Sequence, residues 1–567
     1  MNAIEKSRVW EKPPFDLDTK KEIQVLRKNP EFLEDSFYKD LEFGTGGMRG
    51  IMGVGSNRIN KYTLGKAIQG LSNYLKKYFI SRPIKTVVAY DCRNNSKHFA
   101  KIVANIFSAN GIDCYLFTEL RPTPELSFAV RKLKAQCGIV LTASHNPPLY
   151  NGLKVYWQDG GQIVPPHDKA ISDQISYTTF DEINFKPLNS KIHYLDNAID
   201  KAFVKASCAL IDFNVSGKED FKIVFTPLHG AGITLVPAVL KLAGFTDLNI
   251  VREQSIPDGN FPTIKSPNPE EPEALKMAIE LADSIDADIV IGTDPDGDRL
   301  GLSIRDQNNE MKLLNGNQTM IVMTIFLLEQ FIENKVLNKD FFIASTLVSS
   351  PMMIKIAEDY GIDCKLGLTG FKWIAKMIED FPNQKFLSGG EESFGFMIGD
   401  VLRDKDAITS TLLACNLGSH LKYNNSSIFD YLIESYIKHG FFKEKLISIT
   451  KKGRKGLEEI SELMESYRNK TPTTISNIRI EIVEDYLTGT KINLITKLKE
   501  NLNFPKVNFL RYVLLDESII SVRPSGTEPK IKYYISVKDI LNKKEDYLDM
   551  DNSLTLKINE LIKGIRI

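Results

Sequence analysis

The feature that most constrains this chain is the way its short apolar runs end. Segments 86–90, 138–142, 222–226, 288–292 and 342–346 have the length and β-branched content of buried strands. Between them lie stretches such as 64–78 and 272–282, where apolar residues recur at three- and four-residue spacing and predict helices. That alternation predicts βαβ units with parallel or mixed sheets. Several strands run straight into polar loops: Asp91-Cys92-Arg93, Ser144-His145-Asn146-Pro147 and Asp294-Pro295-Asp296-Gly297-Asp298. In open α/β sheets ligands bind at the carboxyl ends of the strands, so these loops are the first places to look for a site. The last hundred residues differ. Segments 511–515, 519–522 and 531–536 read as strands without long helices between them, which predicts a smaller antiparallel α+β domain introduced by a charged helix over 451–468.

Length and charge bound what such a fold can serve. At roughly 150 residues per domain, 567 residues predict about four domains. The chain carries 72 basic and 72 acidic residues. That balance argues against a nucleic-acid partner, which requires a basic excess, and against a polybasic membrane surface, while leaving room for a local anion pocket. The N-terminal stretch has no apolar core of signal-peptide length, and the longest apolar run, 320–328, is far short of a membrane span. Six cysteines are scattered singly with no CxxC pair, which predicts reduced thiols in a cytoplasmic protein rather than zinc or disulfides.

Four loops carry chemistry. Thr142-Ala143-Ser144-His145-Asn146-Pro147 can present a serine hydroxyl to solvent for phosphorylation, but taken alone it reads better as a polar turn after a strand. Asp294-Pro295-Asp296-Gly297-Asp298-Arg299 gathers alternate carboxylates, a costly arrangement unless a cation sits among them. A calcium hand is excluded, because its sixth and twelfth positions would be Arg299 and Arg305. Three hard oxygen ligands without a full cage suit Mg²⁺. Arg523-Pro524-Ser525-Gly526-Thr527-Glu528-Pro529-Lys530 combines an arginine fork, hydroxyls and a glycine, the parts of a phosphate cradle; alone, it competes with a simple hairpin turn. Gly389-Gly390-Glu391-Glu392-Ser393-Phe394-Gly395 sets acceptors beside a hydroxyl, as recognition of sugar hydroxyls requires, although glycine-rich polar loops are common.

In this order and spacing the four loops resemble those of the α-D-phosphohexomutases, specifically the phosphoglucomutase/phosphomannomutase branch. Phe43-Gly44-Thr45-Gly46-Gly47-Met48-Arg49-Gly50, Tyr90-Asp91-Cys92-Arg93, Thr123-Pro124-Glu125, Asn151-Gly152-Leu153-Lys154, Pro227-Leu228-His229-Gly230, Thr369-Gly370-Phe371-Lys372 and Asp404-Lys405-Asp406 agree with it, so the resemblance extends from about residue 40 to 535. It implies four domains around a central cleft: three related mixed-sheet α/β domains (1–200, 201–312 and 313–428) and a smaller C-terminal α+β domain resembling the TATA-binding-protein fold (429–567). It also implies residue roles. Ser144 is the phosphoserine, and Asp294, Asp296 and Asp298 hold Mg²⁺ together with the Ser144 phosphate. Glu391 and Ser393 bind sugar hydroxyls, with Thr369, Gly370 and Lys372 contributing from a neighbouring turn. Arg523, Ser525, Gly526 and Thr527 hold the phosphate that stays in place, and Arg49 and Arg299 lie near the phosphoryl in transfer.

The implied activity is interconversion of glucose 1-phosphate and glucose 6-phosphate. It runs through a phosphoserine enzyme and a glucose 1,6-bisphosphate that turns over between two phosphate pockets. Lys154, Lys405 and His145 are the acid/base candidates. Some relatives carry a histidine just after the sugar loop, but here Phe394-Gly395 stands there, which removes one candidate base and leans toward the phosphoglucomutase arrangement. His229 reads equally as a structural histidine. Mannose, pentose and amino-sugar phosphates remain alternative substrates. A non-catalytic sugar-phosphate binder is disfavoured by the intact serine and metal loops, and a phosphatase by the second cradle. The expected partners are small sugar phosphates, with the chain a monomer or dimer and neither nucleic acid nor membrane involved.

Overall fold

The computed structural model describes residues 2–80, 82–451, 453–525 and 530–565. The chain forms two compact units, one of residues 1–323, 340–344 and 370–428 and one of residues 324–339, 345–369 and 429–567.

The first unit opens with three short helices, Ala3–Val9, Leu17–Leu26 and Pro30–Phe37, each capped by the side chain of Asn2, Asp16 or Asn29. They bury Trp10, Phe15 and Phe37 around Tyr62. A six-stranded mixed sheet follows, in the order Gly47–Ile51, Tyr150–Trp157, Cys137–Leu141, Lys85–Tyr90, Asp113–Phe117, Ile192–Leu195. The last four of these strands run parallel, and Cys137–Leu141 and residues 86–90 among them are buried throughout, as expected where helices cover the sheet. A five-stranded sheet repeats the plan in the order Met311–Leu313, Leu300–Arg305, Ile289–Thr293, Ile223–Thr226, Leu248–Ile250. In a third, Phe341–Thr346 lies parallel to Lys385–Glu391.

These sheets share a device that the strand-to-helix expectation missed. In each, the last parallel strand turns back as an antiparallel hairpin: Cys137–Leu141 into Tyr150–Trp157, Ile289–Thr293 into Leu300–Arg305, and Lys385–Glu391 into Gly395–Ile398. The serine, aspartate and Glu391-Ser393 loops are the turns of those hairpins. A turn between paired strands is fixed at both ends, which suits residues that must keep their spacing.

In the second unit an antiparallel sheet runs in the order Phe441–Thr450, Lys530–Asp539, Ile519–Pro524, Leu510–Leu514, Ile478–Asp485, Thr490–Asn493, Lys499–Asn501. Helices Gly453–Asn469 and Tyr547–Gly564 accompany it. The α+β expectation holds here, and the charged helix expected over 451–468 is Gly453–Asn469. Strands Phe441–Thr450 and Ile478–Asp485 lie outside that expectation, because their alternating charged residues mask a strand. Arg523 lies one residue from the end of its strand, opposite Lys532, and the Ser525 N–H donates to the Lys530 carbonyl at 2.7 Å. Gly526 and Thr527, also assigned to the phosphate cradle, lie outside the described residues. No described helix is long and apolar enough to cross a membrane.

Candidate active site

Ser144 sits in the first hairpin turn with φ +51°, a left-handed conformation uncommon for serine and informative when the surroundings enforce it. Its N–H donates to Thr142 Oγ1 at 2.8 Å. Its hydroxyl donates to Asp294 Oδ2 at 2.8 Å and lies 3.2 Å from His145 Nδ1. The sequence expectation of a solvent-presented hydroxyl is therefore corrected: Ser144 is 3% exposed and faces a carboxylate. Arg49, from the antiparallel edge strand, donates to Asn146 Oδ1 at 2.7 Å. Burial, then Arg299 and Arg49, push the His145 imidazole well below its ordinary range, which favours its neutral form.

The second turn holds the carboxylates. Asp294, Asp296 and Asp298 are at most 1% exposed, and each offers one oxygen within 4.8 Å of the others. Asp294 Oδ1 accepts the N–H groups of Asp298 and Arg299 at 3.0 and 3.1 Å, which ties the turn to itself. Thr123, at the start of helix Thr123–Lys132, donates its hydroxyl to Asp296 Oδ2 at 3.0 Å and its N–H to the Asp296 carbonyl at 2.8 Å. Gly230 packs so closely beneath the turn that a Cβ there would lie 2.5 Å from Pro295 Cα.

The carboxylates are not left bare. Lys154 Nζ bridges Asp296 Oδ2 and Asp298 Oδ2 at 2.7 and 2.8 Å, and Lys405 Nζ lies 2.9 Å from Asp298 Oδ2. Burial opposes the charged form of both lysines, yet the aspartates outweigh it and raise them above the ordinary lysine value. Asp296 is likewise held below the ordinary carboxylate range against its burial, chiefly by Lys154. Burial and its two acidic neighbours push Asp294 well above that range. Asp296 Oδ1 and Asp298 Oδ1 remain buried without a hydrogen-bond partner. Two orphaned hard oxygens beside a third carboxylate are the donor set a divalent cation such as Mg²⁺ takes, so the residues fit the ion.

The third turn meets the second, since the Leu300 N–H donates to the Phe394 carbonyl at 3.0 Å. Glu391 is 5% exposed, and burial raises it to about 7 although Lys405 and Arg299 oppose the shift. A Cβ at Gly395 would lie 2.6 Å from Lys405 Cδ and push that lysine aside. Ser393 lies in this turn beside Glu391 and hydrogen-bonds its carboxyl. Lys372, just after Gly370, donates to the Thr45 carbonyl at 2.7 Å. Thr369, Arg523 and Ser525 belong to the other unit.

Several supporting residues escaped the sequence reading. Glu270 pairs with Arg299. Tyr156 donates to Asp404 Oδ2 at 2.6 Å, and Asp404 Oδ1 lies 3.4 Å from Lys405 Nζ. Arg93, quoted in a landmark but given no role, turns its guanidinium into the serine loop. His229 proves structural: its Nδ1 faces the Ile256 carbonyl at 3.1 Å and its Nε2 faces Thr263 Oγ1 at 2.9 Å.

The chain matches three successive family descriptions. They are phosphoglucomutase/phosphomannomutase alpha/beta/alpha domain I over residues 40–182, domain II over 201–307 and domain III over 315–436. It is 36% identical over 530 residues to a phosphoglucomutase of Staphylococcus epidermidis, covering 92% of this chain and 93% of that one. It is 37% identical over 509 residues to the phosphoglucomutase of Staphylococcus aureus, covering 89% and 91%. In fold it resembles the open form of parafusin from Paramecium, with a TM-score of 0.68 at 18% identity over 93% of this chain and 96% of that one. Sequence, fold and the three hairpin turns agree: this chain belongs to the phosphoglucomutase/phosphomannomutase family.

Proposed function

We propose that the chain is an Mg²⁺-dependent phosphoglucomutase that interconverts glucose 1-phosphate and glucose 6-phosphate through phosphorylated Ser144 and bound glucose 1,6-bisphosphate. The observation that carries this reading is the Ser144 hydroxyl 2.8 Å from Asp294, beside two buried carboxylate oxygens without partners. The near full-length likeness to staphylococcal phosphoglucomutases supports the choice of sugar.

Asp294, Asp296 and Asp298 would hold Mg²⁺, which when bound offsets charge on the transferring phosphoryl and orients it. Phosphoryl transfer leaves the protein mainly positioning and charge neutralisation to supply. Lys154 and Lys405, kept protonated by the aspartates, and the arginines Arg49 and Arg299 offer that neutralisation from this chain. The P–O bond to Ser144 breaks as a sugar hydroxyl attacks. The Ser144 oxygen takes up a proton as the attacking sugar hydroxyl gives one up, and His145 at 3.2 Å is a candidate relay between them. Glu391 and Ser393, with Thr369, Gly370 and Lys372, bind the sugar hydroxyls. Arg523, Ser525, Gly526 and Thr527 hold the phosphate that stays, and the bisphosphate turns over so that its other phosphate reaches Ser144. Boundaries near 200, 312 and 428 divide the chain into four domains, a reading supported by the residues each sheet spans. The protein acts on small sugar phosphates, as a monomer or dimer in the cytoplasm.

The test supplies Mg²⁺, a trace of glucose 1,6-bisphosphate and, in parallel, glucose, mannose, N-acetylglucosamine and ribose 1-phosphates. Conversion of glucose 1-phosphate in preference to the others, abolished by chelation, is expected. Preference for another sugar would move the assignment within the family, and no conversion of any would overturn it.

A further inference from the structure

One bond that registers Ser144 against the aspartate turn cannot last through a reaction at that oxygen. The Ser144 hydroxyl donates to Asp294, and a phosphorylated Ser144 has no hydroxyl proton to donate. The structure contains a second path between the two turns, built from protein groups alone and independent of what the Ser144 oxygen carries.

The path starts at the serine loop. Arg93 is 3% exposed and donates from Nη1 to the carbonyls of Pro147 and Tyr150 at 2.9 and 3.0 Å. From Nη2 it donates to the carbonyls of Ser144, at 2.6 Å, and Asn146. One planar fork thus gathers four carbonyls of the loop, a geometry the point charge of lysine cannot reproduce. Behind it, the Asp91 carboxylate lies 3.6 Å from Nε, and the Phe261 ring centroid lies 5.2 Å from the guanidinium carbon.

Phe261 comes from the second sheet's domain and is held unusually. It is 1% exposed with φ +50°, an outlier for a bulky residue. Its neighbour Gly259 packs onto the backbone of Arg93 and Asn94 where a Cβ would collide, and Asn94 Nδ2 donates to Asn260 Oδ1 at 2.8 Å. This loop is rooted on His229. The imidazole bonds Ile256 and Thr263 at either end of the loop, and the Asp258 N–H donates to the His229 carbonyl at 3.2 Å. Leu228 and His229 are also left-handed, at φ +46° and +60°. They deliver Gly230 under Pro295, and the Ala231 N–H donates to the Pro295 carbonyl at 2.8 Å. Four non-glycine residues in left-handed conformation therefore mark one continuous route from Asp294-Pro295 to Ser144. Backbone strain of this kind persists only where surrounding structure enforces it, and it gathers at functional sites.

We propose that His229, Phe261 and Arg93 form a strut that fixes the Ser144 loop against the aspartate turn, and that Arg93 and Phe261 are positioning residues for Ser144 through the whole cycle. The proposal rests on the reading of Ser144 as the phosphorylated nucleophile.

The test compares wild type with Phe261→Leu, Arg93→Lys and the conservative Phe261→Tyr. It uses amide hydrogen exchange of residues 143–150 and steady-state kinetics with glucose 1-phosphate. Phe261→Leu and Arg93→Lys are expected to speed exchange in 143–150 by about tenfold or more while the rest of the first sheet keeps its protection. Their kcat should fall by roughly 10- to 100-fold with KM within about threefold, the pattern of a misaligned nucleophile. Phe261→Tyr should restore both readouts. A folded Phe261→Leu protein with wild-type exchange in 143–150, or with wild-type kcat, overturns the strut; this variant carries the test if Arg93→Lys does not fold. If wild type turns over no sugar phosphate while exchange in 143–150 responds as expected, the mechanical link stands and the failure belongs to the proposed function.

Discussion

Ser144 and Arg523, both assigned to phosphate chemistry, sit in different surroundings. Ser144 itself is buried, and its turn is tied from several directions: by Arg93 to four carbonyls, by Arg49 to Asn146, and by Asp294 to the hydroxyl. Arg523, in the C-terminal sheet, is partly exposed one residue from the end of its strand, after the buried residues Ile520, Ser521 and Val522. A group that must keep a reacting atom in line needs redundant support. A group that only holds a spectator phosphate needs charge and a fork. The first arrangement should control kcat and the second KM.

The largest effect expected from breaking the first turn is loss of the nucleophile. Ser144→Ala should lower kcat by about 10³-fold or more and abolish incorporation of phosphate from glucose 1,6-bisphosphate, read by intact mass. Asp296→Asn removes one of the orphaned oxygens and the anchor of Lys154. A loss of roughly 10²- to 10³-fold is expected, only partly recovered by raising Mg²⁺, with weakened metal binding by calorimetry as the independent readout. The contrasting change, Arg523→Gln, should raise KM for glucose 1-phosphate by about 10- to 100-fold with kcat changed much less. An equal fall in kcat would erase the distinction drawn between the two turns.

A smaller effect sharpens the electrostatics of the buried side. Native Glu391 keeps its proton up to about pH 7, whereas the unfolded chain releases it near 4.5. Between those values the native state binds more protons, so this group's contribution to stability falls as pH rises through that window. The difference corresponds to roughly 3 kcal/mol. Glu391→Gln keeps the neutral form, so urea unfolding should find it close to wild type at pH 5 and relatively more stable at pH 8. Smallest of all, Asp406 caps helix Ala407–Tyr423 through the N–H groups of Ile408 and Thr409, and Asp406→Ala should cost about 1–2 kcal/mol.

Much of this was legible in the residues. Alternate aspartates point locally to a cluster that could bind a cation, because their mutual repulsion is costly without one, and the apolar runs at 86–90, 138–142 and 288–292 fall on strands of the parallel core. What stayed hidden was pairing across distance. Ser144 meets Asp294 from 150 positions away, and no local pattern encodes that bond. The hairpin returns were missed because Tyr150–Trp157 carries Asn151 and Lys154, polar residues that bond the Asn94 carbonyl and the aspartates rather than solvent. Lys154 and Lys405 were read as acid/base candidates, and their pairing with the triad emerged only from the fold. Arg93 and Glu270 look like ordinary surface charges in sequence; burial makes Arg93 structural, and Glu270 pairs with Arg299. The N-terminal helices had readable signals in Asn2, Asp16 and Asn29-Pro30, cap residues before apolar stripes.

The central claim is that Ser144, set against the aspartate triad, gives and regains the phosphoryl group. The most direct measurement incubates the protein with Mg²⁺ and glucose 1,6-bisphosphate labelled in its phosphates, maps the modified peptide, and then chases with unlabelled glucose 1-phosphate. The account predicts label on Ser144 alone and its transfer to sugar at a rate no slower than turnover. Label on another residue, or label on Ser144 that stays there while turnover proceeds, would contradict it.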